Sequence, residues 1–249
     1  NGVSKSQLFG YDIDKQKIDN LRKSFQNINI FDATLKFEKK FDIFIGNPPY
    51  AGDESYFIRE NRKRLDKDYK QIKAKNLFSI ISFNCIKHLN PGGYFINILS
   101  DAFLTNTYYK EFREFLLDEL EIFELCLTPR DLFRHINADV GTCIIFGRKK
   151  TTTDIVFNNW IPKKKSKIKL IDRLLSEKEY KNNKKTEWIF QEEIKKYPNS
   201  QILIGLSKEI RDLYLNSKLR LGDIAGGGTG ISTGKDKLYL KKTKEIKKN

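Results

Sequence analysis

No apolar run in the 249 residues is long enough to cross a bilayer, and the amino terminus has no apolar leader of the secretory type. Cysteine is scarce. Cys85, Cys126 and Cys143 are odd in number, sit among apolar neighbours and lack metal-ligand spacing. A disulfide framework and a cysteine-based metal site are thereby excluded, and three buried, reduced thiols in a soluble cytoplasmic protein are expected. Internal repeats are absent, and no cluster of two acids and a lysine marks a nuclease. The stretch Gly226-Gly227-Gly228-Thr229-Gly230-Ile231-Ser232-Thr233-Gly234-Lys235-Asp236 imitates a phosphate-binding loop. Asp236 follows where Ser or Thr is required, and the first glycine of the pattern falls on Thr229, so nucleoside-triphosphatase chemistry is excluded.

Acidic residues are also in deficit: Lys+Arg 47 against Asp+Glu 32 leaves a formal charge of +15. That balance favours a polyanionic partner, with nucleic acid ahead of a membrane surface. Hydrophobic content of 39% and aromatic content of 12% are enough to build a core.

The chain is organised around Phe41-Asp42-Ile43-Phe44-Ile45-Gly46-Asn47-Pro48-Pro49-Tyr50. The Ile- and Phe-rich run reads as a buried strand. It ends in two prolines, which donate no backbone hydrogen bond and restrict the residues before them, so a stiff extended segment is held at the strand's carboxyl end. Open α/β sheets place their ligand sites there. Upstream, residues 8–11 and 29–31 read as short strands flanking a helix that carries Ile18, Leu21 and Phe25. Downstream, residues 51–74 are polar and basic, with Arg59, Arg62, Lys63 and Arg64. A helix over 76–89 stops at Asn90-Pro91-Gly92-Gly93. A buried strand over 94–99, a helix over 109–121 and strand-like runs at 122–127 and 140–146 follow. Too few residues separate the last two runs for a helical crossover, so they are expected to be antiparallel. Past Lys150 the composition turns to lysine runs, with a helical pattern over 201–215.

Asp12, Asp32 and Asn47 each lie just past the carboxyl end of a predicted strand. In a parallel sheet these ends share a rim, so three polar groups are expected on one crevice. An acid after the second strand of such a fold suits ribose hydroxyls, and a second acid can accept from an adenine amino group. Each Asp alone is more often a helix N-cap. Three in succession, with Asn-Pro-Pro-Tyr among them, point to function.

These residues resemble the γ-class amino-methyltransferases of restriction–modification systems, which methylate adenine N6 in DNA. The resemblance implies an α/β fold: the mainly parallel, Rossmann-like sheet of S-adenosylmethionine (SAM) dependent methyltransferases, with an antiparallel last strand. Gly10-Tyr11-Asp12-Ile13-Asp14 is similar to the family's second motif, which implies that Asp12 holds the ribose of SAM and Ile13 packs on its adenine. Asp32 matches the third motif, and Asn76-Leu77-Phe78 with Pro91-Gly92-Gly93-Tyr94 the fifth motif and the turn after it. Asn47, Pro48, Pro49 and Tyr50 match the catalytic motif in full. Phe133 falls at the place of an aromatic that, with Tyr50, sandwiches a flipped-out base. Arg59, Arg62, Lys63, Arg64 and Lys235 would contact phosphates of double-stranded DNA. His88 and His135 read as surface residues, and no metal is implied. The resemblance further implies a catalytic domain over 1–160, a basic connecting segment over 161–220, and the opening of a target-recognition domain over 221–249. The family's glycine-rich first strand-turn would precede Asn1. The chain thus reads as a fragment of a larger enzyme, with an endonuclease domain or subunit as a further partner.

Other readings stay open on sequence alone. Methyltransferases of protein glutamine and ribosomal guanine carry similar motifs, N4-cytosine methylation uses the same chemistry, and a non-catalytic DNA-binding subunit could retain the fold. The basic extension past the last strand favours DNA.

Overall fold

The structure, a computed structural model, describes residues 2–73, 76–130, 132–133, 140–151, 166–172, 186–219 and 221–226. Among them, β1 (Phe9–Asp12) and β2 (Asn27–Ile30) form a parallel pair joined through α1 (Lys15–Leu21). Asp14 starts that helix by accepting from the amides of Gln16 and Lys17, and Ile18 is its buried anchor.

A second, six-stranded sheet holds β3 (Phe41–Gly46), β4 (Leu89–Ser100), β5 (Leu120–Leu127), β6 (Thr142–Lys149), β7 (Lys167–Ile171) and β8 (Thr186–Phe190). Its order is β3-β4-β6-β5-β7-β8. β3 runs parallel to β4, and β6 lies antiparallel between β4 and β5, as the short connection required. In β4 alternate residues Phe95, Asn97 and Leu99 are buried, the period-two pattern of a strand with one covered face. That face is covered by α3 (Leu77–Lys87), apolar nearly all round, and α5 (Lys110–Glu119), whose Phe115 ring lies 4.4 Å from Phe83. The helix expected over 76–89 ends at Lys87. Pro91 and Gly92 fall within β4, where Gly92 takes φ +80°, a conformation that favours glycine, beside an irregularity in the β3–β4 register.

Three expectations need correction. The strand carrying the Asn-Pro-Pro-Tyr motif is not buried: β3 is an edge of its sheet, and Ile43 and Ile45 are 50% and 76% exposed. The rim is not continuous either, because β1 and β2 are not hydrogen-bonded to β3. The two sheets meet through rings instead. Phe41 lies 5.7 Å from Phe9, 6.1 Å from Tyr11 and 5.8 Å from Phe37, edge-on contacts each worth about 0.5–1.5 kcal/mol beyond area burial. Finally, the sheet continues past residue 160: β7 pairs with β5 and β8 with β7, inside the stretch read as a connecting segment. Backbone contacts divide the chain between Arg211 and Asp212 rather than near residue 160.

A buried Gln191 secures the added hairpin. It donates to the carbonyls of Leu117 and Leu120 and accepts from the amide of Ile122, using three of its hydrogen-bonding positions in the core. Of the helical pattern expected over 201–215, residues 201–207 are not helical and the helix is Lys208–Asn216; Leu221–Ile224 is one helical turn. Residues 227–249, and Lys235 with them, lie outside the described residues, as does His135. All three cysteines are buried thiols, and no helix among the described residues is long and apolar enough to cross a membrane.

Candidate active site

The Asn47-Pro48-Pro49-Tyr50 segment leaves β3 at Gly46, which pairs with Asn97 of β4. A Cβ at Gly46 would come within 2.7 Å of the Asn97 side-chain oxygen, which would have to turn aside. The segment is then pinned at its far end by the start of α3. Asn76 caps that helix by accepting from the Phe78 amide at 3.2 Å, and its Nδ2 donates to the Tyr50 carbonyl at 3.2 Å. The Leu77 amide donates to the Ala51 carbonyl at 2.9 Å. Asn76, to which the resemblance also assigns a cofactor contact, is an N-cap that positions the motif.

The Tyr50 ring packs edge-on against Phe78 at 6.0 Å, and its hydroxyl contacts Asn47 Oδ1 at 2.8 Å and the Ile98 carbonyl at 3.1 Å. Burial pushes the Tyr50 pKa up to about 12, so the hydroxyl keeps its proton at neutral pH. The segment therefore presents an Asn amide beside a proline carbonyl, both hydrogen-bonding groups, with an aromatic ring alongside.

Asp12 and Asp32 share the other rim. They follow adjacent parallel strands, and the Phe31 amide donates to the Asp12 carbonyl at 3.0 Å. Asp12 Oδ1 accepts from the Asp14 amide at 2.9 Å, and Oδ2 has Lys17 at 3.8 Å. Ile13 next to it is 66% exposed. Asp32 Oδ1 accepts from the Thr34 amide and hydroxyl at 2.8 and 2.7 Å, while Oδ2 lies 3.6 Å from Arg64. Each carboxylate thus braces its own loop through one oxygen and faces a cation with the other. The structure brings them to one rim, and places Asn47 on the neighbouring sheet.

The basic segment is ordered. Residues Tyr56–Asp68 form α2, capped by the Ser55 hydroxyl and anchored by buried Ile58 and Leu65. Arg64 is inward, donating to the Thr34 carbonyl at 3.0 Å and hydroxyl at 2.9 Å; it holds the Asp32 loop. Arg62 pairs with Asp53 and Asp66. Arg59 and Lys63 face solvent. Phe133 is half-buried in a turn, with no ring partner among the described residues.

Two supports of the site escaped sequence reading. Asn84 donates from α3 to the carbonyls of Ala33 and Leu35 at 2.8 and 2.6 Å, bracing the Asp32 loop. An amide between Phe83 and Cys85, on a helix whose other side chains are mostly apolar, was the available signal. The Ile98 carbonyl had none.

With its antiparallel β6 between two strands and helices over one face, the chain has the class I SAM-dependent methyltransferase fold. A class I SAM-dependent methyltransferase of Listeria monocytogenes superposes with a TM-score of 0.51 at 15% identity, over 70% of this chain and 52% of that one. A model of the Eco57I restriction-modification methylase family matches residues 3–133, and the chain belongs to that family. Two curated relatives align across most of it. One, from Methanocaldococcus jannaschii and described as a type II restriction enzyme and methyltransferase, is 29% identical over 90% of this chain and 18% of its own length. The type II restriction enzyme and methyltransferase RM.Eco57I of Escherichia coli is 26% identical over 89% of this chain and 21% of its own. The chain therefore spans about a fifth of these relatives.

Proposed function

We propose that this chain carries the methyl-transfer chemistry of a restriction–modification DNA methyltransferase, moving a methyl group from SAM to N6 of a flipped-out adenine in duplex DNA. The observation that carries the reading is the complete Asn-Pro-Pro-Tyr segment, clamped between β4 and the start of α3 with its polar groups at a strand's carboxyl end.

The exocyclic amine of adenine is a weak nucleophile because its lone pair is delocalised into the ring. Asn47 Oδ1 and the Pro48 carbonyl would each accept one of its protons, favouring a pyramidal nitrogen and stabilising the positive charge that develops as it attacks. Proline at 48 and 49 holds that carbonyl's direction. SAM, when bound, supplies an electrophilic methyl group on a sulfonium. Asp12 would take its ribose, the exposed Ile13 would pack on its adenine ring, and Asp32 would accept from its adenine amino group. Tyr50 and Phe133 would stack on the flipped base, each stacking contact worth about 1–3 kcal/mol. Of the α2 residues assigned to phosphates, Arg59 and Lys63 are the exposed ones; Lys235 is assigned the same role from sequence. An endonuclease activity in the same protein or a partner subunit is part of the proposal, consistent with the names of both relatives.

DNA from cells carrying the intact gene should contain N6-methyladenine at one recurring sequence, mapped by single-molecule sequencing. Methylation on cytosine N4, or none, would reject the adenine assignment. Asp12→Ala should weaken SAM binding about tenfold to a hundredfold, the worth of one or two hydrogen bonds to a charged group, with duplex affinity unchanged. Calorimetric titration of SAM checks this; an unaltered dissociation constant removes Asp12 from the site.

A further inference from the structure

Tyr50 offers one hydroxyl proton to two neighbours, Asn47 Oδ1 at 2.8 Å and the Ile98 carbonyl at 3.1 Å. Both atoms as placed are acceptors, and a hydroxyl has a single donor. The Ile98 carbonyl can only accept, whereas the two ends of the Asn47 amide exchange by a half-turn about the Cβ–Cγ bond. With the amide nitrogen turned toward Tyr50, every group is satisfied in series: Asn47 Nδ2 donates to the Tyr50 oxygen, and the Tyr50 hydroxyl donates to the Ile98 carbonyl. The amide oxygen then faces away from the ring.

We propose that the Tyr50 hydroxyl is a positioning group that turns the Asn47 amide so that its oxygen, and not its NH₂, meets the target amine. This rests on the amine-methylation reading and deepens it. An attacking amine has only protons to offer a side chain, since its lone pair is directed at the methyl carbon. An amide NH₂ in that place would oppose its protons with protons. The relay is rigid because every part is held elsewhere. Asn76 fixes the Tyr50 carbonyl, Phe78 flanks its ring, and the Ile98 carbonyl belongs to the interior strand β4. Without the hydroxyl, the productive orientation leaves an amide N–H against an apolar ring edge, while the reversed orientation places the NH₂ in the open crevice, where water solvates it. The reversed form then predominates. The role is separate from stacking, which needs the ring alone.

Tyr50→Phe keeps the ring and removes the relay. In the intact protein, with SAM and a duplex carrying its methylation sequence, single-turnover methyl transfer should slow about tenfold, the worth of one hydrogen bond at the upper end of its usual range. SAM and duplex dissociation constants should stay within about twofold, and 2-aminopurine at the target position should brighten as with wild type, because flipping and stacking depend on the ring. In an Asn47→Asp background both ends of the side chain are oxygens, so adding Tyr50→Phe should cost less than about twofold relative to Asn47→Asp alone. Transfer by Tyr50→Phe at the wild-type rate overturns the proposal, as does an equal loss in both backgrounds or a loss that appears in duplex affinity and not in rate. Failure of wild-type protein to methylate any adenine would reject the underlying activity instead, and is read in the same assay.

Discussion

Asn47→Ala should reduce methyl transfer in the intact protein by about a hundredfold to a thousandfold, the range for losing one preorganised hydrogen-bonding group at a reacting centre. Duplex and SAM affinities should stay within about twofold. Asn47 is exposed and its side chain hydrogen-bonds to Tyr50, so its removal costs little stability. The interaction it provides strengthens as charge grows on the amine nitrogen, which places the loss in the rate and not in ground-state binding. Single-turnover transfer to a labelled duplex, beside a filter-binding isotherm, separates the two. Retained transfer would sink the assignment of the Asn-Pro-Pro-Tyr segment, since no other group at the strand end could replace the amide.

Arg113→Met should lower the unfolding free energy by about 3–5 kcal/mol, the cost of opening a buried polar network. Arg113 is 0% exposed, and no carboxylate among the described residues is hydrogen-bonded to it. From α5 it donates to the carbonyls of Phe103 at 2.6 Å, Asn106 at 2.7 Å and Asn199 at 2.7 and 3.1 Å. It thereby ties the segment following β4 to a tight turn in which Asn199 and Ser200 hold φ of 54° and 53°. Burial draws its pKa down to about 10, opposed by Glu114 and Glu111, so the guanidinium stays charged at neutral pH. Methionine fills similar volume but leaves three carbonyls without their donor and the left-handed turn without its clamp. Arg113→Lys should recover little, because an ammonium cannot reach three carbonyls with a planar fork's geometry. Urea unfolding monitored by circular dichroism measures both variants; a loss below about 1 kcal/mol for Arg113→Met would mean water substitutes for the guanidinium.

Much of the site was legible because its signals are local. Proline after a strand, Asp at a strand end and an antiparallel pair with a short connection are consequences of backbone geometry within a few residues. The helix expected over 109–121 is found at Lys110–Glu119, and the strands expected over 94–99 and 122–127 lie within Leu89–Ser100 and Leu120–Leu127. The basic segment misled because charge along a sequence does not say which side a residue takes. Once Ile58 and Leu65 anchor α2, Arg64 faces the Asp32 loop while Arg59 and Lys63 face solvent. Lysine-rich composition likewise hid β7 and β8, whose apolar residues Ile168, Leu170, Ile171 and Ile189 are buried among charged neighbours.

The amino-acid sequence by itself determined the chemistry available at the end of β3: an amide, two prolines and a phenol in an order that backbone restrictions hold extended. It also determined the carboxylates at two other strand ends and the helix caps near them. Only the tertiary structure decided that those carboxylates and the amide sit on separate sheets, and that β3 is an edge. It alone joined Tyr50 to Ile98, 48 residues away. Local sequence encodes period and capping, because these depend on neighbours within one turn or one strand. Sheet order and cross-strand hydrogen bonds are chosen by burial across the whole chain, where no short pattern of residues records the partner.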